Sequence, residues 1–245
     1  MEYYVLASGS KGNCTVVKSR QALIIIDCGM TWKYLDESFT KHQINYKKAD
    51  GLFITHSHSD HIAQLDRFKE IKKYTTFKLY ESEKLEFYQS IQIKDLEIFP
   101  LALSHDSPNT TGYVIKDDNE SLVYITDTGY LSDANKKHLK NADYYIMESN
   151  HDPVMLLNTQ RPRMLKQRIM FDDGHLSNVD CANYLQQLVG WKTKEIVLAH
   201  LSEEANNPEK AINTINEIFM ANNKSLEKIK VSTACQNSCH KGGKA

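Results

Sequence analysis

His56-Ser57-His58-Ser59-Asp60-His61 places three imidazoles and a carboxylate within six positions. Imidazole nitrogens suit zinc and neighbouring transition metals, and a carboxylate adds negative charge and an oxygen able to activate water. A polar surface loop accounts for one histidine; it does not account for three with an aspartate at this spacing. The flanks carry the fold. Gly51-Leu52-Phe53-Ile54-Thr55 reads as a buried strand entering the cluster, and Ile62 to Phe68 reads as an amphipathic helix leaving it. Strand end, ligand loop and helix start together mark a site in an α/β sandwich, because loops held by rigid elements carry function.

Working outward, apolar strands are expected at Tyr3 to Ala7, Thr15 to Val17 and Leu23 to Ile26, with Asp27 ending the third and Thr31 capping a helix to Phe39. Between the first two strands, Ser8-Gly9-Ser10-Lys11-Gly12-Asn13 is a tight turn whose backbone N–H groups would suit either a hairpin or a phosphate cradle. Beyond the cluster come a strand at Phe77 to Tyr80, a helix from Ser82 to Gln89, and strands at Leu96 to Phe99 and Leu101 to Leu103, the last running into His105. A hairpin follows, Gly112 to Ile115 and Leu122 to Ile125 with a turn at Asp117-Asp118-Asn119, delivering Asp127. The second half alternates helix and strand. A helix from Ser132 or Asp133 reaches Lys140, and a strand Asp143 to Met147 ends at Glu148 and His151. Helices occupy Val154 to Met170 and Ser177 to Val189, a strand Glu195 to Ala199 ends at His200, and a helix runs from Pro208 to Met220. No repeat or composition break divides the chain, so residues 1–245 read as one domain with a polar tail from about 234.

Composition excludes several classes. Lys and Arg number 30 against 31 Asp and Glu, a formal net charge of −1, which argues against a protein whose main task is coating long nucleic acid. Hydrophobic residues make up 41 %, enough to build a full core. No apolar run approaches the roughly 18 residues of a membrane span, and Met1-Glu2-Tyr3-Tyr4 lacks a basic, apolar leader, so the chain reads as cytoplasmic. Five scattered cysteines form no disulfide framework. Cys235, Cys239 and His240 hint at a metal clasp, but a closed zinc site needs a fourth ligand that the sequence does not place nearby. His42, His138 and His240 have no motif context and read as surface residues.

Several strands thus end in groups suited to metal: the 56–61 cluster, His105, Asp127, Glu148 with His151, and His200. This ordered set resembles the metallo-β-lactamase superfamily, and within it the WalJ/YycJ-type branch. The resemblance runs through Leu6 to Asn13, Ser104-His105-Asp106, Thr126-Asp127-Thr128-Gly129, Asn150-His151-Asp152, Leu165-Lys166-Gln167-Arg168, Gly174-His175-Leu176-Ser177-Asn178 and Ala199-His200-Leu201-Ser202. It implies a four-layer αββα sandwich that binds two divalent metal ions, Zn2+ with Mn2+ as the other candidate. By the same resemblance His56, His58 and His105 would hold one ion, Asp60, His61 and His200 the other, and Asp127 would bridge them. Two such ions, about 3.5–4 Å apart, share a hydroxide and clamp a phosphoryl group. His175 resembles the histidine that protonates the leaving group in the related ribonuclease Z enzymes, with Glu148 placed to orient it. His151 and Asp152 would fix the orientation of ligands. Arg161, Arg163, Lys166 and Arg168 would serve either as a phosphate clamp or as a solvated helix face.

Three functions compete. Anti-Pycsar phosphodiesterases of phages resemble the same branch and open 3′,5′-cyclic pyrimidine mononucleotides, cCMP and cUMP. This reading leads because only 44 positions separate His61 from His105 and the charge is nearly neutral, both leaving less surface for a duplex. The alternative is the WalJ/YycJ-type 5′–3′ DNA exonuclease, with nucleic acid as partner. A non-enzymatic metal-binding module comes last. A homodimer is implied by resemblance alone.

Overall fold

The protein is described by a computed structural model over residues 1–244. In chain order its elements are β1 (Glu2–Ala7), β2 (Cys14–Lys18), β3 (Leu23–Ile26), α1 (Trp32–Lys41), β4 (Gly51–Phe53), α2 (Ser59–Ile62), β5 (Lys73–Thr75), β6 (Ser82–Lys84), β7 (Ile91–Ile93), β8 (Leu96–Ala102), β9 (Thr111–Lys116) and β10 (Ser121–Ile125). They continue as α3 (Asp133–Leu139), β11 (Tyr144–Glu148), α4 (Pro153–Asn158), α5 (Arg163–Met170), α6 (Asn178–Leu188), β12 (Glu195–Ala199), α7 (Pro208–Ala221), β13 (Lys230–Thr233) and β14 (His240–Gly243). Two seven-stranded sheets result, ordered β14-β1-β2-β3-β4-β5-β6 and β13-β12-β11-β10-β9-β8-β7.

Alternation along the strands builds the layers. Tyr3, Val5, Ile24, Ile26 and Phe53 of the first sheet meet Tyr113, Ile115, Leu122, Tyr124, Ile146 and Val197 of the second in one buried cluster. Their neighbours Tyr4, Leu6, Ile25, Leu52 and Ile54 face Leu35 and Phe39 of α1. Across the molecule Val123, Ile125, Tyr145, Met147, Ile196 and Leu198 face α6 and α7 through Leu185, Ile215 and Phe219. Strands covered on both faces are apolar throughout, which is why they read as unbroken hydrophobic runs. The architecture is the expected αββα sandwich.

Several local expectations fail for tertiary reasons. The helix expected over 62–68 is short: α2 already begins at Ser59, and beyond Ile62 the Gln64 amide donates to Cys28 O at 2.9 Å, leaving a 3-10 turn over Leu65–Phe68. Residues 82–89 form no helix. Ser82–Lys84 pairs in parallel with β5, Glu81 and Tyr88 adopt φ of 53° and 62°, and the Tyr88 amide goes to Pro100 O. No strand forms at Phe77 to Tyr80, because the chain turns after Thr75 with the Phe77 amide on Thr75 Oγ1 at 3.1 Å. The two strands expected around Pro100 are the single strand β8. Its pairing with β7 ends at Ile98, so the missing N–H of Pro100 interrupts no ladder on that side. The expected polar tail contains β14, paired antiparallel with β1; Ala245 lies outside the described residues. Glu195 anchors that strand by accepting from Gly243 N at 3.2 Å and His240 Nε2 at 3.3 Å, so His240 is a structural contact rather than a free surface residue. Among the described residues no helix is long and apolar enough to cross a membrane.

Candidate metal centre

Ends of strands from both sheets deliver the site. Asp27 follows β3, His56 and α2 follow β4, His105 follows β8, Asp127 follows β10, Glu148 ends β11 and His200 follows β12. Asp27, Asp127 and His200 have φ of 59°, 57° and 55°. This left-handed conformation is costly for residues with a Cβ and is characteristic of functional sites.

The side chains converge. Ligand atoms of His56, His58 and His105 lie within 4.8 Å of one another, as do those of Asp60, His61 and His200, of His56, His61 and Asp127, and of Asp127, Glu148, His175 and His200. Hydrogen bonds from the opposite edge of each ring select which nitrogen faces inward. His61 Nδ1 donates to Asp27 Oδ2 at 2.8 Å, His200 Nδ1 to Glu148 Oε1 at 2.8 Å, and His105 Nδ1 to Gly174 O at 3.1 Å. His56 Nδ1 lies 3.1 Å from Thr55 Oγ1, whose hydroxyl donates to Asp27 Oδ2 at 2.9 Å. Each Nε2 is thereby turned toward the interior of the cluster. His56 Nε2, His200 Nε2 and Asp127 Oδ2 are buried and make no hydrogen bond, although Asp127 Oδ2 is 3.2 Å from His61 Nε2. Unpaired buried polar atoms are expensive, and three of them on residues of these overlapping groups are what cations would satisfy. The cluster therefore fits divalent metal ions.

Charge follows the same plan. Burial, reinforced by neighbouring His61, drives His56 down to about 2, and burial lowers His105, so both keep a lone pair. Burial opposes charge on His200, but Asp127 and Glu148 outweigh it and raise its pKa to about 9. His61 is likewise held well above the usual histidine range, with Asp27 and Asp127 overcoming burial. Glu148 is lowered to about 2: burial opposes this, but the His175 charge and hydrogen bonds from His175 and His200 prevail. The carboxylates around His61 and His200 thus favour their protonated forms, so metal affinity should rise with pH. Calorimetry in two buffers of different ionisation enthalpy is expected to record net proton release on metal binding; release of none would contradict this charge assignment.

Glu148 holds more than one partner: it accepts from His175 Nδ1 at 2.7 Å, from His200 Nδ1, and from Thr128 N at 2.9 Å. His151 is buried, but its Nδ1 makes no hydrogen bond. Asp152 caps α4 through Met155 N at 2.8 Å, so it does not orient a ligand as the sequence suggested. The loop Ser8 to Asn13 is not an open phosphate cradle. Its Gly9, Lys11, Gly12 and Asn13 amides go to Asn13 Oδ1, Gln236 Oε1, Gly9 O and Asp60 O, while Ser8 Oγ accepts from His200 N at 2.8 Å. The basic stretch divides. Arg161 pairs with Glu204 and Lys166 binds the carbonyls of Leu157 and Thr159, whereas Arg168 meets Asp106 beside the histidines.

Sequence reading missed Asp27 as the carboxylate behind His61, and Asn13, whose Nδ2 is 3.0 Å from His61 Nε2. A glycine signals the close approach there. A Cβ on Gly29 would stand 1.7 Å from Asp60 O and 2.5 Å from His61 N. Gly29→Ala must therefore push the loop off α2, at a cost on the order of 3 kcal/mol. Thermal denaturation is expected to show Tm lower by about 10 °C, and a shift under about 1 °C would show that the contact yields freely.

Comparison with known proteins agrees with this geometry. Residues 23–201 match the family model described as the beta-lactamase superfamily domain. The chain is 33 % identical over 235 residues to the exodeoxyribonuclease YycJ of Bacillus anthracis, covering 89 % of each chain. It is also 33 % identical over 239 residues to the exodeoxyribonuclease WalJ of Streptococcus pneumoniae, covering 90 % of this chain and 89 % of that one. Among solved structures, the metallo-β-lactamase fold protein YhfI of Bacillus subtilis superposes with a TM-score of 0.71 at 17 % identity, covering 98 % of this chain and 99 % of that one. The protein belongs to the beta-lactamase superfamily, in the WalJ/YycJ-like branch of its metal-dependent hydrolases.

Proposed function

We propose that this hydrolase cleaves phosphodiester bonds at the end of a DNA strand. His56, His58 and His105 would hold one divalent cation and Asp60, His61 and His200 a second, with Asp127 available to both groups. Zn2+ is the first candidate for both positions and Mn2+ the second. The observation that carries this reading is the set of inward-facing, unpaired atoms on His56, Asp127 and His200, with His175 at their edge. Bound cations supply charge for the phosphoryl oxygens and make water nucleophilic at neutral pH. The protein supplies position and a proton. Glu148 holds His175 by Nδ1, which leaves Nε2 to deliver a proton to the departing 3′ or 5′ oxygen.

DNA is favoured by the printed activity of two relatives that match this chain along nearly its whole length. A 3′,5′-cyclic pyrimidine mononucleotide is the second reading. It draws on the nearly neutral charge and on the ion pairs that occupy Arg161 and Arg168. The discriminating experiment offers purified protein with Mn2+ or Zn2+ three substrates in parallel: 5′-phosphorylated DNA, cyclic CMP and cyclic UMP. Digestion of DNA with the cyclic nucleotides intact is expected. Rapid opening of either cyclic nucleotide beside intact DNA would install the second reading.

A further inference from the structure

Gly9 and Gly12 let the loop between β1 and β2 double back, at φ of 146° and 149°, and its surroundings leave it no slack. A Cβ on Gly12 would stand 2.4 Å from Met30 Cα, and one on Gly9 2.6 Å from Gln236 Oε1. Asn13 closes the loop and is 1 % exposed. Its carboxamide is fixed by one glycine: Oδ1 accepts from Gly9 N at 2.9 Å, and Nδ2 donates to Gly9 O at 3.1 Å. The second hydrogen on Nδ2 then faces His61 Nε2 at 3.0 Å and Asp60 Oδ2 at 3.4 Å, while Asn13 N donates to Asp60 O at 2.8 Å. An N–H has no lone pair for a cation, and turning the amide over would break both bonds to Gly9. Asn13 is therefore no ligand; it holds two candidate ligands side by side. At the other end of the loop Ser8 Oγ accepts from His200 N at 2.8 Å. One loop thus touches Asp60, His61 and His200, whereas His56, His58 and His105 lean on Thr55, Asp106 and Gly174.

The loop is held in turn from the far end of the chain. Beyond β13, Ala234 N donates to Leu198 O at 2.8 Å, which fastens the segment against β12 and brings Gln236 to the loop. Gln236 is 6 % exposed; its Oε1 accepts from Lys11 N and its Nε2 donates to Gly12 O, both at 2.8 Å. One buried amide thus pins the peptide groups of Lys11 and Gly12, which belong to no strand or helix. We infer that Asn13 and Gln236 are positioning residues for one cation of the pair, the one assigned to Asp60, His61 and His200: Gln236 sets the loop, and the loop sets those three ligands. The inference rests on the two-cation reading above and adds that the two positions are supported unequally, the C-terminal segment controlling one and not the other. Ligands already in place need no ordering when a cation arrives, and support of this kind is worth about 10–100-fold in metal affinity.

The test is zinc titration of the full chain against a competing chromophoric chelator, with elemental analysis of the protein after gel filtration. Asn13→Ala is expected to weaken one ion of the two about 10–100-fold and to leave the other at the parent affinity. Gln236→Leu, close to glutamine in shape but without its polar atoms, is expected to weaken the same ion about ten-fold. Asn237→Ala, exposed in the same turn, should titrate as the parent does. Thermal denaturation separates positioning from mere support of the fold. A structural loss lowers Tm alike in chelated and zinc-loaded protein, whereas a positioning loss shrinks the gain in Tm that zinc confers. Should Asn13→Ala fail to fold, Gln236→Leu decides alone, because its side chain touches no ligand. Equal weakening of both ions, or an effect of Asn237→Ala as large as that of Gln236→Leu, would overturn the inference. Two ions at parent affinity in every variant would overturn it and leave the two-cation reading standing; a parent that takes up fewer than two ions would overturn both.

Discussion

Asp127→Ala is expected to lower phosphodiester hydrolysis by about three orders of magnitude or more and to bring bound metal below two ions per chain. Loss of a residue that merely supports a ligand already costs about 10–100-fold, and Asp127 stands at the centre of the cluster. Its Oδ2 lies 3.2 Å from His61 Nε2 and its Oδ1 3.4 Å from His200 Nδ1. Alanine would remove the carboxylate that draws both histidines inward, leaving two buried imidazoles to repel each other and any incoming cation. Circular dichroism would show whether the sandwich persists, and elemental analysis would count the ions. A variant that keeps two ions and full turnover would remove Asp127 from the mechanism.

His175→Ala is expected to lower kcat on DNA by about 10²–10⁴-fold while metal content stays at the parent level. The ring touches Glu148 Oε1 at 2.7 Å, is 3.7 Å from Asp127 Oδ1, and has its side chain 21 % exposed, whereas His200 is fully enclosed. That placement suits a proton carrier at the mouth. A leaving group that needs no proton supplies the check. On bis(p-nitrophenyl) phosphate the variant should retain most of the parent rate, because nitrophenolate departs unaided. An equal loss on both substrates, with metal lost as well, would make His175 a ligand, a role its position beside Asp127, Glu148 and His200 would allow.

The parts of this molecule legible in the sequence are those whose signal is local. Ile24 to Ile26 and Ile196 to Ala199 are apolar runs ended by polar residues, and both are strands at those positions. The ligand candidates stood out because each follows such a run. The segment 82–89 misled because its pairing partner, β5, is chosen by the sheet edge and not by its own periodicity. β14 was invisible for a similar reason: His240 to Gly243 has no strand character, and its register is imposed by β1, more than two hundred residues earlier. Asp27 looked like the end of a strand. Its chemical role depends on His61, 34 positions away, and appears only when β3 and β4 lie side by side. Asp106 and Arg168, 62 positions apart, meet by the same logic.

Two divalent cations among these strand ends are what every step above requires. The most direct measurement is anomalous X-ray scattering from crystals of the zinc- or manganese-loaded protein, read at the metal edge. Two peaks are expected, one among His56, His58 and His105 and one among Asp60, His61 and His200, with Asp127 between them. A cluster without anomalous density, or a single ion bound elsewhere on the chain, would contradict it.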